Sequence, residues 1–328
     1  MSILVVGGAG YIGSHAVRSL LAAGHDVRVF DNLSQGHAGA VPEGRLIVGR
    51  LDDRPALEAA LRGHRIDAVM HFAAFASVPE SVADPARYYQ NNLIGTLNLL
   101  DAMRAAGVGR IVFSSTAAVY GVPEVVPIPE DGPKEPINPY GFTKLAIERA
   151  LADYARAYGL GFAVLRYFNA CGASSDATIG EDHQPETHLV PIVLQVALGQ
   201  RPSLSVFGTD YPTPDGTCVR DYIHVEDLAD AHVRALGAIA PGKGLTYNVG
   251  TGVGVSVRAV IEAAERVTGR SIAAVEHPRR AGDPPVLVAS ADRLRAELGW
   301  APRFTAIDEI VASAWAWHST HPNGYNDR

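Results

Sequence analysis

One tyrosine and one lysine in this sequence are spaced to exchange a proton with a substrate. Tyr140 and Lys144 stand four residues apart, just after an Asn138-Pro139 pair that is typical of a helix start. Side chains at i and i+4 share one helical face, so we expect the phenol and the ammonium to lie together. A free tyrosine titrates near pH ~10, and lowering that pKa by about 3 units requires roughly 4 kcal/mol. Nearby positive charge favours the phenolate, which makes Tyr140 the candidate general base and Lys144 its electrostatic partner.

A run of hydroxyl residues follows a predicted strand. Ser114, Ser115 and Thr116 come directly after the apolar segment Arg110–Phe113. Open α/β folds bind ligands at the carboxyl ends of their strands. We therefore expect Thr116, or the neighbouring Ser115, to hold a substrate oxygen while the phenolate takes its proton.

A glycine pattern lies between the first predicted strand and the first predicted helix. Gly7, Gly10 and Gly13 are spaced three residues apart. Glycines here permit a tight turn, close approach of the backbone to a pyrophosphate, and close packing of helix on strand. The free N–H groups of the helix start favour a phosphate. The pattern therefore predicts a dinucleotide cofactor.

An acidic residue at the end of the second predicted strand indicates which dinucleotide binds. Asp31 can accept hydrogen bonds from a ribose 2′-hydroxyl and would repel a 2′-phosphate. Asn32, Leu33 and Ser34 follow, without an arginine to receive such a phosphate. NAD is predicted over NADP, and its oxidised nicotinamide would be a second cation beside Tyr140.

The elements that position these residues alternate in type through the first half of the chain. Near-continuous apolar runs predict strands at Ile3–Val6, Asp26–Phe30, Arg45–Val48, Ala68–Phe72, Arg110–Phe113 and Phe162–Arg166. Helical patterns between them lie at Ser14–Ala23, Arg54–Arg62, Ala86–Ala106 and Asn138–Tyr158. This alternation predicts an α/β protein with a doubly wound parallel sheet. We expect a cofactor-binding domain at 1–168 and a smaller, loop-rich lobe at 169–328.

Composition limits the class of partner. The chain has 328 residues, a net charge of −7, and no basic stripe suited to nucleic acid. Charged residues interrupt its long apolar stretches, so we expect no membrane span. The two cysteines suit a reducing, cytoplasmic setting. We expect no metal site.

A series of motifs resembles one family over nearly the whole chain. They include GGAGYIGSH at 7–15, SSTAAVYG at 114–121, YGFTK at 140–144, RYFNACGA at 166–173 and DGTCVRDYIHVEDLADAH at 215–232. With these motifs the chain resembles the extended short-chain dehydrogenase/reductase family, and within it the enzymes that epimerise UDP-sugars. The resemblance implies a Rossmann-type domain with bound NAD, and a UDP-sugar substrate held in the second lobe. It further implies interconversion of UDP-glucose and UDP-galactose through transient oxidation at C4 to a 4-keto sugar, and a homodimer formed through 86–106 and 138–158.

The same resemblance implies roles for residues that spacing alone does not single out. The further residues expected to contact NAD are Tyr11, Ile12, Asn32, Leu51, Phe72, Ala73, Ala74, Asn92 and Ser114. The residues expected to contact the UDP-sugar are Thr116, Tyr140, Asn169, Leu189, Phe207, Arg220, Tyr222, Arg280, Asp283 and Leu287. Within that set, Asn169 and the two arginines would bind the diphosphate. Asp283 would bind the uridine ribose, and Leu287 would border C2 of the hexose.

Some positions depart from the pattern of the family. Arg50 stands where an acid often lies near the adenine, and Ala76 stands where a lysine often lies near the nicotinamide. His188 replaces a frequent asparagine near the uridine, so that role is not assigned to it. Thr116 replaces a frequent serine and keeps the hydroxyl.

Other functions are compatible with parts of this pattern. A sugar-nucleotide dehydratase needs an acid/base pair after the strand-end threonine, whereas Ala117 and Ala118 follow Thr116 here. An epimerase of UDP-N-acetylglucosamine or of a UDP-pentose stays open. A catalytically silent, nucleotide-sensing protein would use the same scaffold.

Overall fold

The computed structural model describes residues 1–280 and 282–327. In chain order, its strands are β1 (Ser2–Val6), β2 (Asp26–Asp31), β3 (Leu46–Val48), β4 (Ala68–His71), β5 (Arg110–Thr116), β6 (Gly161–Tyr167), β7 (Asn169–Cys171), β8 (Leu204–Phe207), β9 (Val219–His224), β10 (Gly244–Val249), β11 (Gly254–Ser256), β12 (Ala274–His277) and β13 (Val286–Leu287). Its α-helices are α1 (Tyr11–Ala22), α2 (Arg54–Gly63), α3 (Val78–Ala83), α4 (Pro85–Tyr88), α5 (Gly95–Ala106), α6 (Pro139–Tyr158), α7 (Leu189–Ala197), α8 (Val225–Ala238), α9 (Val257–Thr268), α10 (Asp292–Leu298) and α11 (Ile307–Thr320).

A parallel sheet forms the centre of the molecule. Its seven strands lie in the order β10-β6-β5-β4-β1-β2-β3. The apolar side chains of α1 and α8 pack on one face of the sheet, and those of α2, α5 and α6 pack on the other. Because both faces are covered, the central strands are mostly apolar, with polar residues toward their ends. The predicted doubly wound α/β fold is confirmed.

Strand β10 comes from the second half of the chain and was not predicted. Gly244–Val249 pairs in parallel with Phe162–Tyr167 at one edge of the sheet. Helix α8, also from the second half, packs against α1. The division at residue 168 remains a prediction about domain organisation, but the polypeptide contributes to the large sheet from both sides of that position.

The predicted helix over 86–106 is interrupted. Helix α4 ends at Tyr88, a wider π-helical segment runs over Tyr89–Ile94, and α5 then begins at Gly95. The π segment includes Asn91 and Asn92, and such segments are frequent at functional sites. Periodicity alone did not show this interruption, because the π segment has only six residues and α-helical patterns lie on both sides of it.

The remaining strands build a smaller unit above the carboxyl edge of the large sheet. Strands β11, β9 and β13 form one sheet, β7 pairs with β9, and β12 pairs with β8. Helices α7, α9 and α11 pack together in a separate apolar core. Within the described residues, none of the helices is long and apolar enough to cross a membrane.

Candidate active site

A cleft of about 940 Å³ lies where the carboxyl ends of the parallel strands face the smaller unit. Its walls include the turn after β1, the end of β2, the segment after β4, the end of β5 and the segment after β6. This is the edge at which doubly wound folds bind ligands. The cleft brings together most of the residues singled out from the sequence.

The glycine loop fits a dinucleotide. A Cβ at Gly7 would overlap the backbone of Ala73, and one at Gly13 would overlap the carbonyl oxygen of Gly7. At Gly10 the nearest atom to such a Cβ would be 3.5 Å away, so this position is open toward the cleft. Gly10 is the N-cap of α1 and makes no side-chain cap, which leaves N–H groups of the first turn available to a pyrophosphate.

Asp31 is held in place at the end of β2. One carboxylate oxygen accepts from the Ala9 N–H at 3.0 Å, and the other accepts from the Leu33 N–H at 2.8 Å. The side chain is buried yet borders the cleft. Each carboxylate oxygen can accept a further bond, so the geometry suits the ribose hydroxyls of NAD. Burial raises the pKa of Asp31, and these backbone hydrogen bonds act in the opposite direction.

The other predicted cofactor contacts fall into two groups. Tyr11, Ile12, Asn32, Leu51, Phe72, Ala73, Ala74 and Ser114 all border the cleft. Asn92 does not line it, because its amide is bonded to the backbone N–H and carbonyl of Phe75 at 2.9 and 3.0 Å. Asn92 therefore supports the cleft wall from behind. Its neighbour Asn91 lines the cleft instead.

Tyr140 and Lys144 lie together in the cleft on the first turns of α6. Asn138 caps this helix by accepting from the Gly141 N–H at 2.8 Å, and Pro139 is its first residue. The Lys144 ammonium lies 6.0 Å from the centre of the Tyr140 ring. It donates to the carbonyl oxygen of Ser114 at 2.8 Å, which fixes its position at the end of β5.

Burial dominates the ionisation of both groups. It lowers the pKa of Lys144 to about 7, and the nearby Glu148 carboxylate acts in the opposite direction. Burial also raises the pKa of Tyr140, while a hydrogen bond with Thr116 opposes that change. Burial in this structure thus opposes the phenolate form of Tyr140. A further positive charge in the cleft would favour that form.

The three strand-end hydroxyls do not share one environment. Ser114 and Thr116 border the cleft, and the Ser114 hydroxyl is hydrogen bonded to that of Tyr167. Ser115 points away from the cleft, because successive side chains of a strand alternate between faces. Its hydroxyl donates to the Glu148 carboxylate at 2.6 Å. The structure thus does not bring Ser115, one of the predicted catalytic residues, to the reacting groups.

The substrate side of the cleft gathers nearly all of the predicted residues. Asn169, Leu189, Arg220, Tyr222, Arg280, Asp283 and Leu287 border it together with Thr116 and Tyr140. Arg220 donates to Asp283 at 2.9 Å. Phe207 is not part of the lining, and the Arg280 guanidinium lies over its ring, 3.8 Å from the ring centre. Phe207 therefore positions an arginine in this structure.

Leu287 faces both the cleft and an apolar cluster. It lies in β13, paired with Arg220 of β9, and packs against a buried group of side chains that includes Tyr120 and Leu145. Among the departures from the family pattern, Ala76 and His188 also border the cleft. Arg50 forms an exposed ion pair with Asp52.

Sequence reasoning missed a buried ion pair behind the catalytic helix. Glu148 lies one turn after Lys144 and bonds to Arg166 of β6 at 2.6 and 2.9 Å. The Arg166 guanidinium also donates to the Tyr120 hydroxyl at 2.8 Å. The position of Glu148, eight residues after Tyr140 on the same helical face, is a signal that could have identified it.

Comparisons with known proteins agree with this geometry. The NAD dependent epimerase/dehydratase family matches residues 3–250. The UDP-glucose 4-epimerase of Lacticaseibacillus casei is 53% identical, with 100% of each chain covered. A crystal structure of the Brucella ovis UDP-glucose 4-epimerase in complex with NAD is 48% identical with a TM-score of 0.92, covering 96% of this chain and 97% of that one. The Bifidobacterium longum enzyme in complex with NAD+ and UDP is 40% identical with a TM-score of 0.94, covering 99% of this chain and 100% of that one. The chain therefore belongs to the NAD dependent epimerase/dehydratase family.

Proposed function

We propose that this protein is an NAD-dependent UDP-glucose 4-epimerase, which interconverts UDP-glucose and UDP-galactose. One observation carries the proposal: Tyr140 and Lys144 line the same cleft as the glycine loop on one side and Arg220 and Arg280 on the other. The relatives that bear this name match the chain over its full length. NAD is the cofactor, as in the related structures solved with it.

The residues of the chain divide the chemistry among them. When bound, NAD would supply the acceptor for a hydride from C4 of the sugar and the donor that restores it on the opposite face. Tyr140 takes the proton of the C4 hydroxyl as the carbonyl forms, and gives it back when the hydroxyl is restored. The Lys144 ammonium supplies positive charge beside the phenolate, and Thr116 holds the sugar oxygen. The paired guanidinium groups of Arg220 and Arg280 suit the diphosphate.

Two features argue against the competing functions. Ala117 and Ala118 follow Thr116 at the cleft and cannot transfer protons, so elimination of water lacks an acid and a base. Burial of the Lys144 ammonium disfavours its charged form, so a lysine at this position is costly. A silent nucleotide sensor would have no catalytic use for it. Tyr140 and Lys144 are both in place here.

Turnover of UDP-galactose tests the proposed reaction. We expect the purified protein to form UDP-glucose without added reductant, because epimerisation involves no net redox change. A parallel assay with UDP-N-acetylglucosamine and UDP-pentoses measures the sugar preference. Binding of UDP-galactose without conversion would instead indicate a sensor.

We also propose a homodimer formed through 86–106 and 138–158. Helices α5 and α6 pack side by side, and the Tyr154 hydroxyl donates to Asp101 across them at 2.9 Å. Ile94, Phe142 and Tyr158 leave large apolar surfaces exposed nearby. Light scattering should give twice the 34.7 kDa chain mass, whereas a single-chain mass would exclude the dimer. We further propose a cytoplasmic location, which suits the two free, buried cysteines and which cell fractionation would check.

A further inference from the structure

Two glutamates and two histidines converge on the loop that leads into α7. They are Glu181, His183, Glu186 and His188, and we refer to them as the Glu–His cluster. Each offers one ligand atom, and the four atoms lie within 4.8 Å of one another. The two glutamate side chains are almost completely buried, at 3% and 2% exposed. None of the four has a role in the proposed reaction, and His183 and His188 border the cleft.

The distances within the Glu–His cluster are close to those around a tetrahedral ion. Nδ1 of His183 lies 3.2 Å from Glu181 Oε1 and 3.7 Å from Glu186 Oε2. Nδ1 of His188 lies 2.5 Å from Glu181 Oε1 and 3.6 Å from Glu186 Oε1. Ligands about 2.0–2.1 Å from a tetrahedral ion are about 3.3 Å apart. Small side-chain rotations would therefore bring all four to one ion.

One nitrogen of the Glu–His cluster lacks a hydrogen bond. Nδ1 of His183 is buried, and its contacts with the two carboxylates do not have hydrogen-bond geometry. Within the described part of the chain, it therefore has no hydrogen-bond partner. His183 Nδ1 instead faces the carboxylates of Glu181 and Glu186 at 3.2 and 3.7 Å, an arrangement in which nitrogen and oxygen atoms could share one cation.

The charge of the Glu–His cluster leads to the same conclusion. Among the described residues, no lysine or arginine forms an ion pair with Glu181 or Glu186, and their ion-pair partners are His183 and His188. Glu186 also accepts from the N–H groups of Thr187 and His188 at 2.7 and 2.8 Å, whereas Glu181 has, in the described ranges of the chain, only the two imidazoles. Two buried carboxylates are costly unless cations or strong donors compensate them. A divalent cation would supply that charge and allow both imidazoles to be neutral ligands.

We propose that the Glu–His cluster binds one divalent transition-metal ion of the zinc class. Imidazole and carboxylate ligands in a four-membered set suit Zn²⁺, whereas Mg²⁺ requires octahedral oxygen ligands. The ion would fix the loop between two parts of the cleft. The His183 ring packs edge-on to Tyr11 of α1, and His188 immediately precedes Leu189 on the substrate side. The role would be structural, connecting the cofactor side of the cleft to its substrate side.

Zinc titration of the full-length protein tests the proposal. The protein, with its NAD retained, is dialysed against a chelator and titrated with Zn²⁺ or Mg²⁺ by calorimetry. We expect one Zn²⁺ per chain, a melting temperature higher by several degrees in excess Zn²⁺, and no comparable effect of Mg²⁺. Co²⁺ in place of Zn²⁺ should give the visible absorption of a tetrahedral site.

Single substitutions locate the ion. Loss of a group that only orients a metal ligand weakens metal binding by roughly 10–100-fold. Because His183 and His188 would themselves be ligands, His183→Gln and His188→Gln should each weaken Zn²⁺ binding by more than that. His64→Gln, at an exposed histidine that accepts from Arg28 at 3.3 Å, should bind Zn²⁺ like the unsubstituted protein. Circular dichroism of the metal-free variants checks that they fold.

Two results would overturn the proposal. The first is unsubstituted protein that binds Zn²⁺ no better than Mg²⁺. The second is a folded His188→Gln variant with unchanged affinity and stoichiometry for Zn²⁺. Because His188 is half exposed, its substitution is well tolerated sterically, so this second result can be obtained.

Discussion

At the residue scale, burial shifts the pKa of Tyr140 in the direction opposite to the one that its proposed role as a base needs. The low-polarity surroundings raise the pKa of its hydroxyl, and the same surroundings lower the pKa of Lys144 to about 7. A proton acceptor at neutral pH needs a lower pKa. The positive charge of an oxidised nicotinamide would act on both groups, favouring the phenolate of Tyr140. Bound NAD would thus favour the proton-accepting form of Tyr140.

Replacing Tyr140 by phenylalanine tests this role. The ring keeps its packing while the proton acceptor is lost, so we expect turnover of UDP-galactose to fall by about 10²–10⁴-fold. NAD content and the circular dichroism spectrum should be unchanged. Lys144→Met should also impair turnover strongly. Near-normal turnover by Tyr140→Phe would show that another group carries the proton.

Leu287 is a candidate determinant of which sugars fit. It borders the cleft beside Arg220, and we expect it to admit UDP-glucose readily and UDP-N-acetylglucosamine weakly. Leu287→Tyr should suppress activity on the larger substrate selectively, because an added ring costs more where less space remains. The ratio of kcat/KM for the two substrates measures this effect. An equal loss on both, or no loss on either, would mean that Leu287 is not the gate.

The sequence could predict these residues because their chemistry is tied to local patterns. The helix cap and the spacing of four residues placed Tyr140 and Lys144 on one helical face. The strand end placed Thr116 at the ligand-binding edge of the sheet. Ser115 shows the limit of such reasoning. Its face depends on the pleat of β5, and its hydroxyl bonds to Glu148 on a helix far along the chain. Only the packed structure contains that information.

At the element scale, one ion pair connects the catalytic helix to the central sheet. Glu148 of α6 bonds to Arg166 of β6 and to Ser115 of β5, and both charged side chains are buried. Removing one charge of such a pair leaves the other buried and uncompensated. The position of α6, and with it Tyr140 and Lys144, depends on this contact.

Glu148→Leu should therefore destabilise the protein by about 3–5 kcal/mol in urea unfolding. Glu58→Leu is the matched control. Glu58 pairs with Arg54 and Arg62 on the more exposed α2, where such pairs contribute about 1 kcal/mol or less. If both variants lost the same small amount, the buried pair would not be what holds α6 in place.

Long-range pairing explains which elements the sequence did not reveal. The six predicted strands of the first half follow from apolar runs between helices. Strand β10 was not predicted, and it pairs with β6, which lies far earlier in the chain. The short strands β7, β8 and β9 lie in a Gly- and Pro-rich region that we predicted as mainly loops. Their pairing depends on tertiary contacts more than on local propensity.

At the scale of the whole molecule, the cleft lies between parts of the chain that are joined to each other. The Tyr11 hydroxyl at the start of α1 donates to the carbonyl oxygen of Gly172, beyond β6, at 2.7 Å. A cofactor in the cleft would have the glycine loop on one side and the smaller unit on the other. Because the reaction returns its hydride, release of NAD is not required for turnover.

We therefore expect the purified protein to retain NAD. Denaturing the protein and assaying the supernatant should release close to one NAD per chain, and activity should not need added cofactor. The carboxylate of Asp31 should make NADP a poor substitute. A supernatant almost free of NAD, with activity that depends fully on added NADP, would contradict both the retention and the role of Asp31.

The pairing of β10 with β6 also has a consequence for how the protein is made. During synthesis β6 leaves the ribosome well before β10, so one edge of the large sheet stays open while the intervening segment is translated. An unpaired edge strand is a template for association with other chains. A nascent chain stalled before Gly244 would therefore present this edge to neighbouring chains and to chaperones. Synthesis of Gly244–Val249 is the point at which the growing chain can protect it.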